Sequence, residues 1–427
     1  MQRLLWSKLG PSERAAALAR PARRIRPELV DGVGDILAEI RVGGWDALVR
    51  QAERIDGAPP RRVEVAPFAA AARRDLPVDV VAAMELAAHN IAAFHRGSLP
   101  ADHIVETMPG LVCRKSWRPL GRVGLYVPGG ATPLFSTLLM LALPARAAGV
   151  EDIVVATPPS AGGLAPALAL AAELAGIEAV WTVGGAQAIA ALAFGAGPIV
   201  AVDKICGPGN AWVAEAKRQA AAAPGGPAID MPAGPSELIV IADANADAAT
   251  VAADLLSQAE HDPDAQVLLA TTSPALLEQV LAEVAQQAAL LPRREIVAAS
   301  LAAARAILVR DLAEAVEVAN LYAPEHLTLA IDDPEPLVAQ VRNAGAVFAG
   351  YPASESFGDY LAGSSHVLPT DGAARAWSGV SALTFVKAIS VQTVSAAAAR
   401  QLAAPTALLA RIEGLEAHAR SAERRAA

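Results

Sequence analysis

The stretch Ser257-Gln258-Ala259-Glu260-His261-Asp262 closes a segment that reads as a helix. Gln258 and His261 stand three residues apart, so a helix puts them on one face with their side chains converging. An imidazole and an amide oxygen both suit zinc or a similar divalent ion. Two ligands do not hold a metal, so the rest of the shell must come from elsewhere. The chain offers three further polar clusters: Pro324-Glu325-His326, Gly358-Asp359-Tyr360 with His366 close by, and Glu413 with His418. Four of the seven histidines fall in such clusters, which is an enzyme's pattern more than a scaffold's.

Each cluster also has an ordinary reading. A lone Gln-x-x-His is usually a surface pair. Glu325-His326 follows Pro324 and precedes a strand. The two can divide acid/base work, because histidine titrates near neutrality and a partly buried glutamate is tuned upward. The alternative is a strand-edge pair facing water. Asp359 lies in a Gly-bounded turn, where a carboxylate meets a cleft more often than a core. His418 sits on an amphipathic tail helix and would singly be a solvated histidine, but a detached tail can reach the site of a second subunit. Cys206, beside Lys204, is a candidate thiol nucleophile for an aldehyde, although free cysteine is commonly a small apolar residue. His89, His95 and His103 lack metal spacing and read as structural or solvated.

The elements that must position these groups follow from the pattern of apolar runs. Residues 1–22 read as a helical arm, and the chain stays mostly helical to about Arg96. From Arg122 to Met231, strands at Val123–Val127, Ile153–Ala156, Ala179–Val183 and Ile199–Val202 alternate with helices, one of them from Pro133 to Ala148. A second series runs through Leu238–Ile241, Val267–Ala270, Ala306–Val309, Leu327–Ala330 and Gly345–Phe348. Such alternation is the mark of parallel sheets wrapped by helices. The expected fold is α/β, with two parallel-sheet Rossmann-like domains, a helical N-terminal arm and an extended helical C-terminal tail. The expected boundaries are an arm at 1–22, one α/β domain from 23–124 plus 234–376 carrying metal and base, an inserted domain at 125–233, and a tail at 377–427. Three Gly-rich loops, Tyr126–Gly130, Val183–Gln187 and Cys206–Asn210, each follow a strand and precede a helix. Free N–H groups there could receive phosphate oxygens. None matches the dinucleotide fingerprint, and tight turns alone would also explain them.

Composition narrows the classes. At 427 residues the chain exceeds what one core sustains, and 54% hydrophobic residues supply ample apolar surface. A net charge of −9 argues against a nucleic-acid partner. Two cysteines exclude a disulfide framework and fit a reducing compartment. The opening residues lack the apolar core of a secretory signal, and the apolar run Leu134–Leu143 is about half a bilayer span. A soluble, cytoplasmic protein with no membrane partner is expected.

The run Ile229-Asp230-Met231-Pro232-Ala233-Gly234-Pro235-Ser236-Glu237, followed by Asp254 to Asp262, resembles the signature of the histidinol dehydrogenase family. The resemblance extends over nearly the whole chain, through Gly207-Pro208-Gly209-Asn210, Ala323 to Leu327, Gly358 to Tyr360, His366 to Thr370 and Glu413 to His418. It implies a zinc (Zn2+)- and NAD-dependent enzyme that oxidises L-histidinol through the aldehyde to L-histidine. It further implies metal ligands Gln258, His261, Asp359 and His418, with His418 supplied by the partner subunit of a homodimer. By the same resemblance, Glu325 and His326 are catalytic. Ser236, His366 and Glu413, together with His326 and the four ligands, contact substrate, and Tyr126, Gln187 and Asn210 contact NAD. Cys206 is then a bystander. The family commonly has Asn where this chain has Ser365, and the nearby loop carries a bulky Trp377. Two other readings are a related zinc- and NAD-dependent dehydrogenase of another small alcohol, such as a sulfonated diol, and a zinc hydrolase, which predicts no NAD binding.

Overall fold

The computed structural model describes residues 1–21, 27–129, 134–232 and 234–426. Gly130, Pro133, Ala233 and residues 22–26, which carried some of the expectations above, lie outside the described residues. Two six-stranded sheets dominate. From edge to edge the first runs Arg61–Glu64, Ala179–Thr182, Asp152–Thr157, Arg122–Tyr126, Lys204–Cys206 and Ala228–Ile229. Its strands are parallel except for Arg61–Glu64, which pairs antiparallel at the edge. The second runs Gln2–Leu5, Arg305–Leu308, Gln266–Thr271, Glu237–Ala242, His326–Ala330 and Ala346–Ala349, and is wholly parallel. Every residue of its central strands Gln266–Thr271, Glu237–Ala242 and His326–Ala330 is buried, as expected of a sheet covered on both faces. The α/β class is therefore the one read from the sequence. No helix among the described residues is long and apolar enough to cross a membrane.

The boundaries differ from expectation in four places. Residues 1–22 do not form a helical arm throughout. Gln2–Leu5 adds a strand to the second sheet, and the helix Pro11–Ala17 follows it. Four residues are too few to show a period, and the Ala-rich run after them dominates the local pattern. The helices between Pro27 and Gly97 belong with the first sheet, not the second. Val33, Ile36, Leu37 and Ile40 bury their stripe against the helix Gly185–Phe194, and the helix Val78–Gly97 packs on Phe135–Ala147. The expected strand Ile199–Val202 is a turn, and Lys204–Cys206 is the strand. Lys204 can enter the sheet because its amine donates to the Thr384 carbonyl at 2.7 Å. Finally, the tail is not helical from its start. Val386–Val394 pairs antiparallel with Leu111–Pro119, which in turn pairs with His103–Met108 to make a third, small sheet.

Candidate active site

The site lies where the carboxyl edge of the first sheet meets the amino edge of the second. Glu325 and His326 stand at the start of their strand, beside Glu237 at the start of the neighbouring one. The main chain of Glu237 holds both: its N–H donates to Glu325 Oε2 at 2.9 Å, and its carbonyl lies 3.2 Å from His326 Nδ1. A carbonyl only accepts, so Nδ1 carries the proton, and the same N–H faces Gln258 Oε1 at 2.9 Å. His326 Nε2 is left with the lone pair, buried and without a partner. Burial holds the ring neutral, with its pKa lowered to about 3. A neutral imidazole fixed at one nitrogen and free at the other is the form a proton acceptor requires.

Gln258 ends the helix Ala248–Ala259, and His261 lies just past it. The three-residue spacing still works, because His261 N–H donates back to the Gln258 carbonyl at 3.2 Å and continues the turn. His261 exposes its surface yet sits in a recess, where surrounding protein lowers its pKa; its charge also opposes protonation of His326 and His366. His366 Nδ1 lies 3.1 Å from the Asp359 carbonyl and so carries the proton. Its Nε2 then accepts from the Thr137 hydroxyl, also at 3.1 Å, which ties the recess to the first sheet's helix Phe135–Ala147. Ser365 Oγ accepts from Val367 N–H at 3.1 Å. Ser and Asn make the same kind of side-chain turn, so Ser365 preserves the turn that presents His366.

Four carboxyls surround this cluster: Asp254, Glu325, Glu355 and Asp359. Burial raises all four, Asp254 and Asp359 to about 6. Among the described residues no Arg or Lys pairs with any of them. Buried carboxyls without a cation, an imidazole and an amide oxygen are groups of the kind that suit a divalent ion. Among the described residues of one chain, however, no group of three or more His, Cys, Asp or Glu is gathered at metal-binding spacing. Gln258, His261 and Asp359 all lie in this recess, around His326 and His366. Glu413 and His418 do not join them: both are exposed, on tail helices that pack on each other. Ser236 does join the cluster, close enough to Glu325 for its hydroxyl to oppose the upward push of burial on that carboxyl.

The three Gly-rich loops meet at the carboxyl edge of the first sheet, but most of their N–H groups are occupied. Gly184 N–H donates to Asp56 and Gly185 N–H to the Tyr126 hydroxyl at 3.1 Å. Gly207 N–H donates to Asp230 at 2.7 Å, and Asn210 Oδ1 caps Trp212 and Val213. These turns are thus held by side chains, and phosphate binding would fall to groups other than those amides. Gln187 is buried with its amide nitrogen on Asp56 and its oxygen unpartnered. A cavity of about 1400 Å³ opens beside them, lined by Gly207, Asn210, Met231, Pro232 and Glu237. It is large enough for a dinucleotide. Of the three residues expected to contact NAD, Asn210 lines this cavity, while Tyr126 and Gln187 do not: Tyr126 ends its strand and Gln187 lies in the first turn of the helix Gly185–Phe194. Cys206 is fully buried and its thiol pushed well up by burial, which removes the nucleophile reading.

Two residues of the site escaped the sequence reading. Glu355 is buried with neither oxygen partnered, 3.7 Å from His326 Nδ1. Its four-residue spacing from Asp359 was the available signal. Glu237 closes the signature run, but the grip of its main chain on Glu325 and His326 is a matter of register that no motif displays.

Comparison with known proteins agrees with this geometry. The family model described as histidinol dehydrogenase matches residues 19–426. A histidinol dehydrogenase of Xanthomonas euvesicatoria is 48% identical over 422 residues, covering 98% of this chain and 97% of the relative. One from Xylella fastidiosa is 49% identical over 417 residues, covering 97% and 96%. The crystal structure of histidinol dehydrogenase from Elizabethkingia anophelis superposes with a TM-score of 0.95 at 39% identity, covering 100% of this chain and 98% of that one. A match of this extent, in sequence and in fold, shows that the chain belongs to the histidinol dehydrogenase family.

Proposed function

We propose that this chain oxidises L-histidinol through the aldehyde to L-histidine, with NAD as oxidant and zinc as anchoring metal, completing histidine biosynthesis. The observation that carries the reading is His326: a buried neutral imidazole, proton fixed on Nδ1, with an unpartnered Nε2 beside a buried glutamate. Gln258, His261 and Asp359 would hold zinc together with His418 of the partner subunit. Zinc, when bound, supplies a Lewis-acidic anchor for the substrate's imidazole and amino nitrogens. NAD, when bound, supplies the hydride acceptor for both oxidations.

The protein's own groups handle the protons. His326 Nε2 takes the hydroxyl proton as hydride leaves the carbinol carbon, giving the aldehyde. Glu325, raised by burial, has the basicity to take a proton from water as that water adds to the aldehyde carbon. His326 returns its proton to the aldehyde oxygen as that water adds, giving the hydrate with Nε2 free again, and accepts once more as the second hydride leaves the hydrate, giving the acid. Ser236, His366 and Glu413 would line the substrate. Anchoring at the end that does not react would keep the aldehyde in place while NADH is exchanged for NAD.

The homodimer is supported by the tail. Glu413 and His418 stand exposed, beside Leu408, Leu409 and Ile412, which are 63%, 64% and 76% exposed. An apolar face of this kind on a protruding helix suits a subunit interface. The test is NADH formed per L-histidinol by purified protein before and after chelation. Two NADH per substrate, lost with the metal and regained with zinc, are expected. Folded, zinc-loaded protein that forms no NADH from histidinol would overturn the reading.

A further inference from the structure

We infer that Arg20, at the end of the N-terminal segment, is a positioning residue that sets the acid/base pair Glu325 and His326 through Glu237 and the Tyr322–Ala323 turn. The inference rests on the role given to that pair above.

Arg20 is 17% exposed and Glu237 2%. Its guanidinium engages both carboxylate oxygens of Glu237: Nε faces Oε1, and Nη2 donates to Oε2 at 2.8 Å. The Asp371 N–H adds a third donor at 3.0 Å. The Glu237 side chain is thereby fixed, and its peptide groups are those that hold Glu325 Oε2 and His326 Nδ1. Arg20 also reaches the other side of the pair. Nη2 donates to the carbonyls of Tyr322 and Ala323 at 3.0 and 3.3 Å, and the guanidinium stacks 3.9 Å from the centre of the Tyr322 ring. Ala323 has φ of 55°, a left-handed conformation that a residue with a Cβ holds only when its surroundings impose it. That turn leads through Pro324 straight into Glu325. One planar fork therefore ties the starts of two neighbouring strands together, at the point where both catalytic residues leave them. The arm that carries Arg20 is itself anchored, because Gln2–Leu5 is a strand of the same sheet.

Arg20→Gln alone leaves the Glu237 carboxylate buried without its partner, which can unfold the site. The decisive variant is therefore Arg20→Gln combined with Glu237→Gln, which removes the charge as well as the clamp. We expect this protein to fold, to keep KM for L-histidinol within about twofold, and to lose about ten- to hundredfold in kcat at saturating NAD, as a base displaced by a fraction of an ångström would. Arg20→Lys keeps the charge but not the fork, and should fall between wild type and the double variant. A folded double variant with wild-type kcat, or one whose loss lies wholly in KM, would overturn the positioning role. Wild-type protein that does not oxidise histidinol would instead overturn the functional reading on which it rests.

Discussion

Replacing His326 with asparagine separates what the ring does for the fold from what it does for the chemistry. In the structure Nδ1–H faces two acceptors, the Glu237 carbonyl at 3.2 Å and Gln258 Oε1 at 2.9 Å, whereas Nε2 faces nothing. The asparagine amide nitrogen reaches about as far as Nδ1, so His326→Asn keeps the donor and deletes the base. His326→Ala deletes both and leaves two buried acceptors without a donor, at a cost of about 1–3 kcal/mol, with a further contribution from the cavity. His326→Asn should therefore lie within about 1–2 kcal/mol of wild type and at least about 1 kcal/mol above His326→Ala. Both should lose roughly 100- to 10,000-fold in kcat, the usual contribution of a positioned base. Urea unfolding at one fixed protein concentration gives the first comparison, and NADH production from histidinol the second. If the two variants are equally stable, the Nδ1 assignment is wrong. If His326→Asn keeps more than about a tenth of kcat, His326 is not the proton acceptor.

Two further predictions concern the frame around the site. At Gly207 φ is 130°, and a Cβ would lie 2.0 Å from the Tyr126 carbonyl oxygen, so Gly207→Ala should cost about 2–4 kcal/mol and raise KM for NAD more than for histidinol. Wild-type unfolding and an unchanged NAD KM would refute the packing argument. His95 is buried with both nitrogens unpartnered, and burial lowers its pKa from 6.5 to about 4. As pH falls below 6.5 the unfolded chain takes up this proton first, so stability is lost progressively until about pH 4, by up to about 3 kcal/mol. His95→Leu should flatten that part of the stability profile, as measured by urea unfolding at pH 7 and 4.5; a slope equal to wild type would count against it.

What the sequence disclosed and what it hid follow from which interactions are local. The strands Glu237–Ala242 and Gln266–Thr271 are continuous apolar runs because helices cover both their faces, and they were legible. Arg61–Glu64 is an edge strand of polar residues, and Leu111–Pro119 is half exposed and pairs with a segment more than 250 residues away. Neither has a periodic signature, and their pairing is set by distant partners. The apolar run Ile199–Val202 misled because its backbone is spent locally: Ile199 pairs with Ala196 across a turn and Val202 N–H donates to the Leu192 carbonyl, while Val200 and Ala201 stand exposed. At the candidate site, Gln258, His261, Glu325, His326, Asp359 and His366 appear in short unusual motifs and could be picked out one by one. Arg20, Glu237 and Glu355 could not. Their part depends on burial and register, which only the folded chain displays.

The proposal turns on a site split between two subunits, in which Gln258, His261 and Asp359 would hold the metal together with His418, a residue that stands exposed on the tail of its own chain. The most direct measurement mixes His326→Asn and His418→Ala proteins, each inactive as a homodimer, and verifies subunit exchange. A heterodimer then holds one site with both His326 and His418 intact, so an equal mixture should recover about a quarter of wild-type activity. No recovery after complete exchange would contradict the shared site and place the missing ligand within the chain's own core.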